Sequence, residues 1–236
     1  MIEMVAFDGD DTLWHNESIF SVTHERFQAL MAPFVAPEVI DERMFATEMK
    51  NLRLFGYGVK SVTLSMIETA IELSEGRVAA AQIQEIIEAG RAMLEHPVDL
   101  LFGAADAVEK VSETHPVMLI TKGDLLDQES KLARSGLGER FESIEIVSEK
   151  GPATYERILR RLGVSPDRFV MVGNSLRSDI VPTLDVGGFG IHVPYHLTWA
   201  AELVEDESPV RGHPRFHHLD SLDGLPPLLG DIETGS

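Results

Sequence analysis

The sequence predicts an α/β fold: a doubly wound, Rossmann-like parallel sheet with an α-helical insertion after its first strand. Three observations predict it. From residue 100 onward, short apolar runs alternate with amphipathic stretches, as in successive strand–helix units. One further apolar run, Met4-Val5-Ala6-Phe7, stands near the N-terminus with no strand partner close in sequence. Between the two lies a block, residues 16–96, with helical spacing and no convincing strand. The first run must therefore join the later sheet across that block. The expected organisation is a core of residues 1–15 and 98–236 and a helical cap of residues 16–97.

The elements follow in order. Residues 4–7 end abruptly in Asp8-Gly9-Asp10-Asp11, as a buried parallel strand does where it meets solvent. In the cap, Phe27, Leu30, Met31 and Phe34 recur at helical spacing, then Leu64, Ile67 and Ile71, then Ile83, Ile86 and Ile87. Pro33, Pro37, Gly56, Gly58 and Gly76 punctuate these stretches, giving about four helices. The core strands are expected at residues 117–120, 144–147, 169–172 and 189–193. Helices are expected near 103–115, 124–136, 152–163 and 176–186. The segment after about residue 225, with Pro226-Pro227, is expected to be loose.

Composition narrows the chemistry. The 236 residues include no cysteine, which excludes disulfides, thiolate metal sites and a cysteine nucleophile. There are 39 acidic and 20 basic side chains, a formal net charge of −19, which argues against nucleic-acid partners. No apolar run approaches a bilayer span, and the first residues lack the pattern of a signal peptide. The expectation is a cytoplasmic protein with no membrane partner.

Ligands of such sheets bind at the carboxyl ends of the strands. Asp8, Asp10, Asp11 and Thr12 follow the first strand, and Thr121, Lys122 and Gly123 the second. Ser148, Glu149 and Lys150 follow the third, and Gly173, Asn174, Ser175 and Asp179 the fourth. Two carboxylates as close as Asp8 and Asp10 need a counter-charge, and a hard cation such as Mg²⁺ with oxygen ligands supplies it. Asn174 and Asp179 offer further oxygens. One aspartate can then act as nucleophile and the other as acid/base. Thr121 offers a hydroxyl, with backbone N–H groups behind it, to a phosphate; Lys150 offers a point charge, and Lys122 is a further candidate. His213, His217 and His218 fit no ligand motif and read as surface or late-strand residues; the acidic run 202–207 reads as a solvated face.

Together the four segments resemble the haloacid dehalogenase superfamily of aspartate-nucleophile hydrolases. Val5-Ala6-Phe7-Asp8-Gly9-Asp10-Asp11-Thr12 is similar to its first motif and Met118-Leu119-Ile120-Thr121 to its second. Lys150 stands at the third, and Gly173 through Asp179 resembles the fourth, where Asn174 replaces the usual aspartate. The resemblance implies that Asp8 attacks phosphorus to form an aspartyl-phosphate, while Asp10 first protonates the leaving alkoxide and then deprotonates water. It implies that the Asp8 carboxylate, the Asp10 carbonyl and Asp179 hold Mg²⁺, and that Thr121 and Lys150 bind phosphoryl oxygens. Asn174 can still offer an oxygen, with one negative charge fewer.

The insertion resembles the smaller α-helical type of cap. There the segment from Leu52 to Lys60 is expected to select the leaving group through Arg53, Tyr57 and Lys60. The expected activity is a Mg²⁺-dependent phosphatase for a small phosphorylated metabolite, acting as a monomer or homodimer. The alternatives are a 2-haloacid dehalogenase, a phosphotransferase or mutase, and a non-catalytic phospho-binding module. Relatives that cleave carbon–halogen bonds generally lack the second aspartate, so Asp10 favours phosphate.

Overall fold

Four successive apolar residues, Met4–Phe7, form β1, which pairs on both sides and is wholly buried. The other core strands are β2 (Val117–Lys122), β3 (Ser143–Val147), β4 (Phe169–Gly173), β5 (Phe189–His192) and β6 (Phe216–His218). The sheet is parallel throughout, in the order β3-β2-β1-β4-β5-β6. The order in which strands are added reverses at β1, with β2 and β3 on one side and β4 to β6 on the other, so the crevice at a topological switch point lies at its carboxyl end. The computed structural model describes residues 1–235.

Strand residues alternate between two cores, as the pleat requires. Val5, Phe7, Val117, Leu119, Val170 and Val172 pack with residues of α5 (Ala104–Ser112), α6 (Leu125–Ser135) and α10 (Leu225–Thr234). Met4, Ala6, Met118, Ile120 and Met171 pack with Tyr155, Ile158 and Leu159 of α7 (Pro152–Leu162) on the opposite face.

The remaining helices of this unit are short: α8 (Val181–Asp185) and α9 (Ser208–Arg211). The C-terminal segment is ordered as α10, a departure from the loose end expected. Its prolines fall in the first helical turn, where a missing N–H costs nothing, and Leu225 and Leu229 are buried.

The chain divides into two units. One comprises Met1–Glu17, Val98–Lys122 and Gln128–Ser236; the other comprises Ser18–Pro97 and Gly123–Asp127. The second unit is helical: α1 (Glu17–Met31), α2 (Pro37–Phe55), α3 (Val59–Leu73) and α4 (Ala80–Glu95). Its core is Phe27, Met31, Ile40, Met44, Met66, Ala70 and Ile86. On α3 the buried face is Met66 and Ala70, while Leu64 and Ile71 are largely exposed. The small residues Ser61, Ser65 and Ala70 line that face, so the apolar stripe misplaces it by a fraction of a turn. Among the described residues no helix is long and apolar enough to cross a membrane.

Candidate active site

The ends of β1, β3 and β4 bring three ionisable side chains into contact. Lys150 Nζ donates to Asp8 Oδ1 and, at 2.7 Å, to Asp179 Oδ1. All three are buried. Two carboxylates against one ammonium leave a surplus negative charge in a place shielded from water. The Asp8 carboxyl is raised to about 7, with burial as the largest cause, the Lys150 charge working against it and the Asp179 charge adding to it. Lys150 goes the other way: burial works to lower its pKa, and the two carboxylates outweigh that and hold it above its ordinary value.

Asp179 reaches this position from a π-helical turn, Leu176–Ile180, a geometry often found at functional sites. The turn folds back on the strand so closely that a Cβ on Gly173 would meet Asp179 Oδ2 at 2.2 Å. Glycine at the end of β4 is what admits the carboxylate. Ser175 N–H donates to Asp179 Oδ2 at 3.0 Å, fixing the second oxygen.

Thr12 bridges the motifs of β1 and β4. Its Oγ1 lies 3.3 Å from Asp8 Oδ2 and 3.2 Å from Asn174 Oδ1, and it accepts the Asn174 N–H at 3.0 Å. Asp8, Asp179 and the Asn174 amide thus offer hard oxygen donors at one place. Among the described residues no group of three or more His, Asp or Glu side chains converges as a metal cage.

The reason is that the Asp10 side chain faces another set of partners. Its Oδ1 accepts from Trp14 Nε1 at 2.6 Å and from Lys131 Nζ at 3.0 Å, and its Oδ2 from Gln128 Nε2 at 2.7 Å. The Asp10 carboxylate is therefore taken up by three donors of its own, which leaves only its backbone carbonyl for the ligand role expected of it. Gly9 permits the arrangement, since a Cβ there would meet Trp14 at 2.6 Å. Asp11 adopts the left-handed region (φ 61), and its carboxylate accepts the Asn16 and Glu17 N–H groups at 2.8 and 3.0 Å. Burial raises the Asp11 carboxyl to about 7, against those two hydrogen bonds.

Thr121 is buried at the end of β2. Lys122 is committed to an ion pair with Glu202 and donates to Ser178 Oγ at 2.8 Å. The expected phosphate role for Lys122 thus competes with a partly buried partner. In the helical unit, Arg53 lies exposed in the last turn of α2, and Tyr57 is half-buried between α2 and α3. Lys60 pairs with Asp124 at 2.8 Å.

Sequence reasoning missed Trp14, Gln128, Lys131 and Glu202. Gln128 and Lys131 stand at i, i+3 on the helix after the second motif, a signal that could have placed both on one face. Glu202 carried no such signal inside an acidic run.

A family model described as haloacid dehalogenase-like hydrolase matches residues 2–182. The chain is 42% identical to a haloacid dehalogenase-like family hydrolase from Xanthomonas campestris, with a TM-score of 0.89, covering 99% of this chain and 93% of that one. It is 32% identical over 98 residues to glyceraldehyde 3-phosphate phosphatase of Methanothermobacter thermautotrophicus, spanning 39% of this chain and 43% of that protein. L-2-haloacid dehalogenase from Xanthobacter autotrophicus, with chloropropionic acid covalently bound, shares the fold at 14% identity. That likeness has a TM-score of 0.64 over 98% of this chain and 99% of that one.

Proposed function

This chain belongs to the haloacid dehalogenase-like hydrolases, and on that premise we propose that it is a Mg²⁺-dependent phosphatase acting on a small organic phosphate monoester. The observation that carries the reading is the separation of the two aspartates. Asp8 lies against Lys150 and Asp179, whereas Asp10 has its own cation and two neutral donors. One carboxylate is set for attack on phosphorus and the other for proton transfer. A partial relative named as a phosphatase supports the same substrate class.

In this reading an Asp8 oxygen forms a bond to phosphorus as the ester P–O bond breaks. The electron pair leaves on the alkoxide, which takes a proton from Asp10. Water then attacks the phosphorus of the aspartyl-phosphate and gives a proton to Asp10; the bond from phosphorus to the Asp8 oxygen breaks, its electron pair returns to the Asp8 carboxylate, and inorganic phosphate is released. Lys150 and Thr121 bind phosphoryl oxygens. A halide would leave without a proton, so the held Asp10 argues for an oxygen leaving group.

The residues fit a hard divalent cation. The Asp8, Asp179 and Asn174 side chains and the Asp10 carbonyl are all oxygen donors, and the buried site carries the surplus negative charge such an ion would offset. Mg²⁺ bound there would withdraw charge from the phosphoryl oxygens. Arg53 and Tyr57 are proposed to select the leaving group; replacing both by alanine should reorder preference across a panel of phosphate esters.

The test of the activity is p-nitrophenyl phosphate hydrolysis with and without Mg²⁺ by the wild type, Asp8→Asn and Asp10→Asn. Metal-dependent turnover lowered by on the order of a thousandfold in Asp8→Asn is expected. Chloride release from a 2-haloacid without metal, and no ester hydrolysis, would move the assignment to the dehalogenases.

A further inference from the structure

Glu202 lies on a single 3₁₀ turn, Ala200–Glu202, in the loop between β5 and α9, remote in sequence from every motif. Its side chain is only 14% exposed, and three donors converge on it. Lys122 Nζ bonds to Oε1, and Ser175 Oγ and Ser178 Oγ donate to Oε2 at 2.6 and 2.5 Å. Burial works to raise the Glu202 carboxyl, and the Lys122 ammonium and the serine hydroxyls outweigh it, so the net direction is down.

We propose that Glu202 is a positioning residue: it ties the end of β2 to the loop after β4, and so sets Thr121 on one side and Asn174 and Asp179 on the other. That Asn174 and Asp179 hold a metal rests on the function proposed above. β1, which carries Asp8 at its end, lies between these two strands.

The tie acts through Ser175. A hydroxyl that gives its proton to Glu202 must turn a lone pair elsewhere, and Ser175 Oγ accepts the Ser178 N–H at 3.0 Å. The same residue's N–H holds Asp179 Oδ2. Ser178 is also held from the other side, where its carbonyl accepts the Tyr155 hydroxyl at 3.1 Å. A carboxylate suits this position because all three partners donate; an amide would bring one acceptor oxygen and two competing donors.

The experiment compares the full-length wild type with Glu202→Gln, using Glu205→Gln from the same acidic run as control. Hydrogen exchange is followed by mass spectrometry without metal. The proposal expects amides of residues 173–180 to exchange roughly tenfold faster or more in Glu202→Gln, while β1 is unchanged. In p-nitrophenyl phosphate assays the Mg²⁺ concentration for half-maximal rate should rise by a similar factor, with kcat at saturating Mg²⁺ changing less. A merely structural role would not produce that split.

Exchange over 173–180 equal to wild type overturns the proposal. If the wild type shows no metal-dependent turnover, the phosphatase reading fails alone, and the exchange result still decides Glu202. Should Glu202→Gln not fold, Ser178→Ala keeps the ion pair and is expected to show a smaller change in the same direction; no change overturns the proposal equally.

Discussion

The two units use the same charged residue types to opposite ends. In the helical unit, Arg43 pairs with Glu72, Lys50 with Glu68 and Arg91 with Glu88, and every one of these side chains is substantially exposed. In the sheet unit, Lys150, Asp8 and Asp179 meet with side-chain exposures of 2%, 10% and 1%. Exposed pairs contribute little because water screens them, whereas a buried set with unequal charge is a constraint on everything around it. The comparison locates the meaning of the net charge of −19. Most of it is solvated, and the part that matters is one surplus charge at the strand ends.

The sharpest way to break that contrast is Lys150→Met. Removing the ammonium leaves two buried carboxylates facing each other, and a loss of about 3–5 kcal/mol is expected at pH 8. Urea unfolding measures it, and a loss no larger than that of an exposed pair would erase the distinction. The loss should shrink at pH 5, where protonation relieves the repulsion.

A smaller effect concerns pH. Asp8 keeps its proton up to about 7 in the folded chain, and an unfolded aspartate loses it near its ordinary value, 3.8. Its contribution is therefore fully present at acid pH and fades as pH rises through about 7. In metal-free protein the stability of wild type relative to Asp8→Asn should therefore fall from pH 4 to pH 8. Asp8→Asn keeps the contribution of Asp11, which shifts in the same direction. Identical slopes in melts with chelator present would contradict the charge account.

The smallest expected effect is in the helical unit. Arg43→Ala should change stability by less than about 1 kcal/mol and leave turnover unchanged. A large loss in the same urea titration would mean that the exposed pairs do more than decorate that unit.

What the sequence showed and what it hid divide along physical lines. The meeting of Asp8, Lys150 and Asp179 was legible because each follows a core strand at its carboxyl end, where such sheets gather polar side chains. The helical block was legible through its period, with four helices as expected. The partners of Asp10 were not, since which face Gln128 and Lys131 present depends on how α6 packs. Glu202 looked solvated because nothing local records that a loop folds back over β2 and β4. The C-terminal helix was hidden by prolines that are harmless only in a first turn. The strand at Phe216–His218 is too short to announce itself, though its histidines read as possible late-strand residues.

The central claim is that Asp8 is the nucleophile of a phosphoryl transfer. The most direct measurement is mass spectrometry of Asp10→Asn, mixed with p-nitrophenyl phosphate and Mg²⁺ and quenched in acid within a turnover. Without the group that activates water, the account predicts a phosphoryl group on the peptide carrying Asp8, and none when Asp8 is also replaced by asparagine. Release of p-nitrophenol with no phosphoryl group on Asp8, or undiminished turnover by Asp8→Asn, would contradict it.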